Sequence, residues 1–327
     1  MRKKRILCAF FCVVFVNSLF FSSCKTTIVD ALSTALSGTN KKGKAKRKAK
    51  KNSINPMLAI TSETDIKLVS DFFPTALELY EIIRTANPNH LGISYMTGSL
   101  NVMYANAFIQ SPAESLGPME FDKQLEEFNR AKMHYLRGRD YCLKMLNGRH
   151  KGFSDTVFSG ETEQIQKAVE KLDKHDINAI YWAAAGWLGA FSLDPLNADL
   201  LGSIRAPSIM LERLCVLDPD YNKGAAWELL CNFYVSAPQD FGGNYERGMF
   251  CYEEAIRVSG GKTPGPYILY AEAICVPEGN EAGFVAALEK ALSINPDDDI
   301  ESRLMTTISQ DKARRLLAKK SDYFLEW

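Results

Sequence analysis

The feature that most constrains the fold is the helical spacing of apolar residues along the chain beyond residue 62. One early segment has apolar side chains at Leu68, Phe72, Ala76, Leu79, Tyr80 and Ile83. Intervals of three and four residues place these side chains on one face of an α-helix, whereas a half-buried strand would alternate. Dipeptides typical of helix ends divide the sequence into segments of about 12 to 25 residues: Asn87-Pro88, Asn147-Gly148, Asp194-Pro195, Asp218-Pro219, Gly260-Gly261 and Asn295-Pro296. We therefore predict an all-α protein of about eleven helices.

The spacing inside these segments resembles the tetratricopeptide repeat, a helix pair with small and aromatic residues at fixed positions and a closing proline. Three segments fit parts of the second helix of such a repeat: Ala76, Tyr80, Ile83 and Pro88; Gly248, Tyr252 and Ala255; and Phe284, Leu288, Ala291 and Pro296. The segments beginning at Trp182 and Trp227 resemble the start of a first helix. We predict an irregular helical array of this kind over residues 63–327, forming a superhelical body that binds its ligand on a concave face.

The N-terminus has the pattern of an export signal. Arg2, Lys3, Lys4 and Arg5 precede an apolar run from Ile6 to Phe21, which is shorter than the roughly 20 residues that span a bilayer. The run ends in small residues followed by Cys24. This pattern predicts a lipoprotein signal peptide over residues 1–23 and a lipid on Cys24, with an ordinary cleaved signal as the alternative.

Residues 24–62 are predicted to be a disordered basic tether. They are rich in Ser, Thr, Ala, Gly and Lys, and eight of the eleven residues 41–51 are Lys or Arg. Attraction to anionic lipid headgroups, at about 1 kcal/mol per basic residue, and a plain solvated spacer both explain this run. An exported chain meets no nucleic acid, so we expect no nucleic-acid partner. Residues 52–327 are acidic, with 26 Lys and Arg against 38 Asp and Glu.

Residues 98–114, which include Tyr104-Ala105-Asn106-Ala107-Phe108, resemble the signature of the TatT family. This family comprises the tetratricopeptide-repeat lipoproteins associated with TRAP (tripartite ATP-independent periplasmic) transporters. Residues 180–187, 211–221 and 241–247 resemble it as well, so that the resemblance covers about residues 65–295. The long basic tether departs from the family pattern.

The resemblance implies a periplasmic lipoprotein that forms a homo-trimer and is anchored to the inner or the outer bacterial membrane. It further implies docking to the solute-binding protein of a TRAP transporter. A cavity or pore lined by apolar residues would hold or pass a hydrophobic small-molecule ligand. The alternative is a generic tetratricopeptide scaffold that organises an envelope complex without a solute pathway.

The candidate ligand-binding residues are Tyr104, Asn106, Phe108, Tyr181 and Trp187. On the first predicted helix, Asn106 offers an amide to a ligand while Tyr104 and Phe108 wall the cavity. Ordinary packing of these two aromatic residues, four positions apart, is the alternative. Tyr181 and Trp187 would line the same cavity, because Trp187 has no position in the repeat pattern that requires it in the core.

The sequence does not indicate an enzyme. Its four histidines lack metal-ligand spacing, and the motifs of hydrolases, metalloproteases and phosphate-binding loops are absent. We therefore expect no catalytic residue, no metal and no cofactor. Five cysteines fall in the body at wide intervals, mostly within apolar helical patterns, and are expected to be buried thiols, with one disulfide in an oxidising compartment as the alternative: Cys142, Cys215, Cys231, Cys251 and Cys275.

Overall fold

The computed structural model describes residues 25–37, 42, 58–159 and 161–324. The α-helices of the N-terminal half are α1 (Lys25–Ser37), α2 (Leu58–Thr61), α3 (Ile66–Ala86), α4 (Leu91–Tyr104), α5 (Ser111–Ala113), α6 (Phe121–Arg149), α7 (Phe153–Phe158) and α8 (Thr162–Val169). Those of the C-terminal half are α9 (Ile177–Leu193), α10 (Ala198–Gly202), α11 (Arg205–Leu217), α12 (Ala225–Ser236), α13 (Tyr245–Ser259), α14 (Gly265–Tyr270), α15 (Glu281–Leu292), α16 (Arg303–Ala318) and α17 (Lys320–Tyr323). Two π-helices, Ala105–Gln110 and Ala271–Cys275, continue α4 and α14.

The all-α prediction is confirmed, since the described residues form a helical array and contain no strand. The estimate of about eleven helices is too low, because short α-helices of three to six residues lie between the longer ones: α2, α5, α7, α10, α14 and α17. The predicted stop at Asn147-Gly148 falls next to the observed end of α6 at Arg149. Gly148 itself packs closely against Leu91.

Five helices begin in the same way, with a polar side chain that accepts a hydrogen bond from a backbone N–H three residues further on. The pairs are Asp65 with Leu68, His90 with Ile93, Asn197 with Leu200, Asn244 with Arg247, and Asn280 with Gly283. Such capping satisfies an N–H group that the first turn leaves unpaired. These side chains therefore fix where the helices start.

The expected tether differs from the structure at residues 25–37, which form α1 against α3 and α4. Ser33 is fully buried in this contact. Asn87 Nδ2 donates to Asp30 Oδ1 at 2.5 Å, and Thr34 Oγ1 lies 3.1 Å from His90 Nε2. Small hydroxyl side chains can therefore pack closely here, although their composition suggested a disordered segment. The signal peptide over residues 1–23, Cys24 and most of residues 38–57 lie outside the described residues.

The centre of the array is α6, which packs against α4 on one side and α9 on the other. Glycines permit this close approach. A Cβ atom at Gly98 would lie 2.7 Å from Gly138 O, and one at Gly186 would lie 2.7 Å from Tyr135 O. All five body cysteines are free thiols, as predicted, and are buried in the described part of the chain.

Helix α16 returns to the N-terminal half of the chain. Arg303 Nη1 donates to Ser62 O at 3.3 Å, Arg315 Nη2 donates to Ser111 Oγ at 2.7 Å, and Lys319 Nζ donates to Leu116 O at 3.1 Å. The array is therefore closed by contacts between residues about 200 positions apart. Across the described ranges, no helix is both long enough and apolar enough to cross a membrane.

Replacing Gly138 by Ala tests the close contact between α4 and α6. A Cβ atom there would lie 2.7 Å from Gly98 O and still closer to a methyl group of Val102. Overpacking of this kind costs about 1 to 3 kcal/mol, so we expect Gly138→Ala to lower the free energy of unfolding by that amount in urea titrations. Gly202→Ala is the control, since nothing lies within 4 Å of its Cβ position. Equal stability of the two variants would contradict this packing.

Candidate functional site

The segment that carries the family signature contains the π-helix Ala105–Gln110. Its wide turn closes with a bond from Ser111 N to Asn106 O, and Pro112 follows directly. Proline lacks an N–H group, and in a regular helix its ring would clash with the carbonyl group four residues earlier. A wider turn relieves that clash and changes the direction of the side chains that follow. Pro112 therefore favours a break in regular geometry at this point.

Tyr104 and Phe108 pack against α3. The ring of Tyr104 is stacked on that of Phe73 at 5.7 Å between centroids, and the ring of Phe108 lies 5.2 Å from Phe73. Tyr104 is buried, and its hydroxyl group accepts a hydrogen bond of 2.6 Å from Arg130 Nη2. The packing alternative for these two residues thus has structural support, but Tyr104 also holds the side chain of Arg130.

A chain of hydrogen bonds runs from Asn106 toward the C-terminal helices. Asn106 Nδ2 donates to the hydroxyl group of Tyr135 at 3.2 Å, and that group donates to Gln110 Oε1 at 2.6 Å. Gln110 Nε2 in turn donates to Glu114 Oε1 at 2.9 Å. Burial raises the pKa of Tyr135 above its ordinary value, so its hydroxyl group keeps its proton and can serve as both donor and acceptor.

Lys312 of α16 lies between two carboxylates at the end of this chain. Its Nζ is 2.9 Å from Glu272 Oε2 and 3.5 Å from Glu114 Oε2. Burial lowers the pKa of Lys312, but the two carboxylates outweigh that effect and hold it above its ordinary value. Burial also raises the pKa of Glu272, and Lys312 opposes this only in part. The lysine therefore stays charged and links the two segments.

Glu272 comes from the second π-helix, Ala271–Cys275, which closes with a bond from Val276 N to Ala271 O. Here too a proline, Pro277, stands two residues after the wide turn. Lys312 of α16 thus links the second π-helix to the segment that follows the first, since Gln110 of the first π-helix bonds to Glu114. Because such turns are frequent at functional sites, we take this region as the candidate site.

Two cavities lie in this part of the structure, one at the charge cluster and one on the surface of α6. One, of about 250 Å³, is polar and lies where the array closes; it is lined by Ser111, Glu114, Ser115, Gln124, Phe128, Glu272, Lys312, Arg315, Leu316, Lys319 and Tyr323. The other, of about 530 Å³, is more open and lies along α6; it is lined by Asp122, Leu125, Glu126, Asn129, Arg130 and Met133. The hydrogen bonds of Asn106 lead to the first cavity, and that of Tyr104 leads to the second.

Tyr181 belongs to a separate aromatic cluster. Its ring lies 5.0 Å from Trp182 and 5.2 Å from Tyr221, whose hydroxyl group donates to Asn178 Oδ1 at 2.9 Å. Glu228 interacts electrostatically with Tyr181, and burial raises the pKa of this carboxyl to about 8. The cluster is half-buried in the array, so Tyr181 keeps contact with solvent.

Trp187 does not fit its expected position in a cavity wall. Its exposed fraction is 0%, so it lines no cavity that admits water. The indole Nε1 donates to Ser203 Oγ at 3.2 Å, and the ring lies 4.8 Å from that of Phe158. The sequence argument missed this role because the partners of Trp187 lie on other helices, outside the repeat spacing.

Several residues of the site were not predicted from the sequence, namely Tyr135, Gln110, Glu114, Glu272 and Lys312. Each resembles an ordinary helical residue when its own segment is considered alone. The one local signal that could have indicated the site is the proline placed inside an apolar helical pattern, at Pro112 and at Pro277. Such a proline removes a backbone hydrogen bond and favours a helix end or a distorted turn, although Pro74 is accommodated within α3.

The fold and the site together define an all-α array protein in which a distorted signature helix is hydrogen-bonded to a buried cluster of charges. The chain belongs to the TRAP transporter T-component family, whose sequence model matches residues 62–324. The resemblance to the TatT family is thus confirmed, and the protein is related to a component of TRAP transporters.

A protein of Treponema pallidum (strain Nichols) is 40% identical to the chain over 266 residues. The match covers 81% of this chain and 82% of the relative. That relative is described as an uncharacterized protein, so it supports the family without adding a function.

Replacing Lys312 by Met tests the cluster that closes the array. The variant leaves two carboxylates without their shared cation, which we expect to lower the free energy of unfolding by about 2 to 4 kcal/mol at pH 8. The loss should be smaller at pH 5, where a carboxyl can take up a proton. Lys167→Met is the matched control: its ion pair with Glu163 is on the exposed surface and contributes less than about 1 kcal/mol. A pH-independent loss would contradict the proposed pairing.

The carboxyl of Glu228 should make stability depend on pH. Its pKa is raised by burial from 4.5 to about 8, so between these values the folded protein holds a proton that the unfolded chain has released. The free energy of unfolding therefore falls as pH rises through this window. Glu228→Gln removes that dependence, and we expect it to gain about 1 to 3 kcal/mol relative to the parent between pH 5 and pH 8.5. If the free energy of unfolding of the parent and of Glu228→Gln changed in parallel with pH, the pKa of Glu228 would not be raised in the folded protein.

Proposed function

We propose that the protein is a non-enzymatic lipoprotein subunit that assists a TRAP transporter in the periplasm. In this role it docks the solute-binding protein of the transporter and holds or passes a hydrophobic small-molecule ligand. The observation that carries the proposal is the family match over residues 62–324, together with the cavity at the end of its signature segment, which Ser111 and Glu114 help to line. The proposed trimer rests on the same family relationship.

The N-terminal anchor fits this role. In the mature chain, a lipid on Cys24 would stand directly before α1, which begins at Lys25. Because α1 is bonded to the body through Asp30 and Thr34, the body would lie close to the membrane. The basic residues 41–51 fall between α1 and α2 in the chain, and they would add attraction to anionic headgroups.

The cavity along α6 is the better candidate for a hydrophobic ligand. Leu125 and Met133 give it apolar surface, and Arg130 offers a charged donor at one place in its wall. The guanidinium group of Arg130 is positioned by the hydrogen bond that it donates to the hydroxyl group of Tyr104. A ligand with an apolar body and one polar group matches this arrangement, since such cavities combine apolar walls with a few placed polar groups.

A binding experiment with membranes tests the transporter role. Membranes of cells that produce the full chain should retain it, and solubilisation under conditions that preserve the oligomer should recover the solute-binding protein with it. The Cys24→Ala chain should leave the membrane fraction, because it lacks the acylated residue, and should still bind the solute-binding protein in solution. Since the body is acidic, the association should weaken at high ionic strength if the docking face of the partner is basic.

Two results would oppose the proposal. Recovery of other envelope proteins without the solute-binding protein would favour the generic scaffold. Retention of the Cys24→Ala chain in the membrane fraction would remove the lipid anchor from the account while leaving the transporter role intact. The two parts of the proposal can therefore fail separately.

A further inference from the structure

Helix α3 carries two apolar faces, and only one of them is covered by the part of the chain that the structure describes. Val69, Phe73, Leu77 and Ile83 are buried against the array. Leu68, Phe72, Leu79 and Ile82 stand on a neighbouring face and are 57%, 48%, 52% and 65% exposed. We refer to these four exposed side chains as the α3 seam. Four large apolar residues aligned on one exposed helix face are more than the isolated apolar residues usual on a surface.

The spacing of the α3 seam indicates the shape of its partner. Along the helix the seam positions are Leu68, Phe72, Thr75, Leu79 and Ile82, and the successive intervals are four, three, four and three residues. A repeat of this kind is the contact stripe of helices that pack side by side with interlocking side chains. Helix α3 has 21 residues and is about 30 Å long, which is enough for a partner helix of several turns.

Charge selects among helical partners. Residues 63–84 carry five acidic and two basic side chains, and Asp71 and Glu78 lie along the edge of the α3 seam that faces solvent. The Lys67–Asp71 pair is exposed and only weakly offsets this charge. A second copy packed on the seam through a two-fold axis would bring the two acidic edges together, which opposes pairing of the seam with itself. A helix with basic residues along its edge is favoured instead.

We propose that the α3 seam receives an amphipathic helix of the solute-binding protein. That helix would have apolar residues at alternating three- and four-residue intervals and Lys or Arg residues opposite Asp71 and Glu78. This inference rests on the proposed function, because it assigns the docking surface for the partner named there. Phe72 and Leu79 lie at the middle of the seam, where truncation of large side chains usually weakens binding most.

The test uses the full chain and the purified solute-binding protein of the transporter from the same organism. The first variant is Leu79→Ser with Ile82→Ser, and the second is Asp71→Lys with Glu78→Lys. All four positions are exposed, so we expect both variants to fold and to unfold at nearly the parent temperature. Leu196→Ser is the control for loss of an exposed apolar side chain, since Leu196 is 91% exposed between α9 and α10.

We expect the first variant to bind at least tenfold more weakly than the parent and than Leu196→Ser. The second should lose a similar factor at low salt and less at high salt, because salt screens exposed charges. Equal binding of the parent and both variants would overturn the α3 seam as the docking surface while leaving the transporter role in place. A lower oligomeric state of the first variant in sedimentation, with unchanged binding, would assign the seam to a second copy and overturn the proposal. Absence of binding by the parent would refute the proposed function and this inference together.

Discussion

The structure depends most on the position of Lys312 between Glu114 and Glu272. Removing three charged groups from water is costly, and their mutual attraction repays this only when the geometry is good and the remaining polar atoms have partners. Here Gln110 donates a hydrogen bond to Glu114. About a third or less of the side-chain surface of Lys312, Glu114 and Glu272 is exposed to solvent. The cluster joins α16 to a segment about 200 residues earlier. It thereby fixes the distance between the two ends of the array and the polar cavity between them.

The two π-helices give this cluster its geometry. A regular helix through Ser111 or through Val276 would place the proline that follows against a carbonyl group one turn earlier. The wide turn avoids that contact and rotates the later residues of the segment, including Glu114 in the first case. The same local constraint therefore acts twice, at Pro112 and at Pro277. The second π-helix contains Glu272, the segment after the first contains Glu114, and both carboxylates pair with the same lysine. Local backbone chemistry and long-range charge pairing are coupled in this way.

The all-α class could be predicted from the sequence because helical spacing is a local property, read within one segment. Most helix ends were also predicted, since Asn-Pro and Asp-Pro pairs stop a helix regardless of its neighbours. The signature segment around Tyr104 could be identified for the same reason. The pairing of Lys312 with Glu114 could not, because nothing in either segment indicates the other. The burial of Trp187 could not be predicted for the same reason. It depends on contacts with Ser203 and Phe158, which lie on other segments and meet Trp187 only in the folded chain.

The N-terminal helix shows how packing can overrule composition. Residues 25–37 contain few large apolar side chains, so the sequence alone indicated a segment unable to bury enough surface to fold. In the structure their small side chains instead allow close contact, and Asp30 and Thr34 bond to the loop that ends α3. An anchor placed directly before such a helix would hold the body at a short distance from the lipid, whereas a flexible tether would allow a wide range of distances. Since α1 packs on α3, the docking surface proposed on that helix would also lie near the anchor. A partner bound there would then lie close to the membrane that carries the anchor.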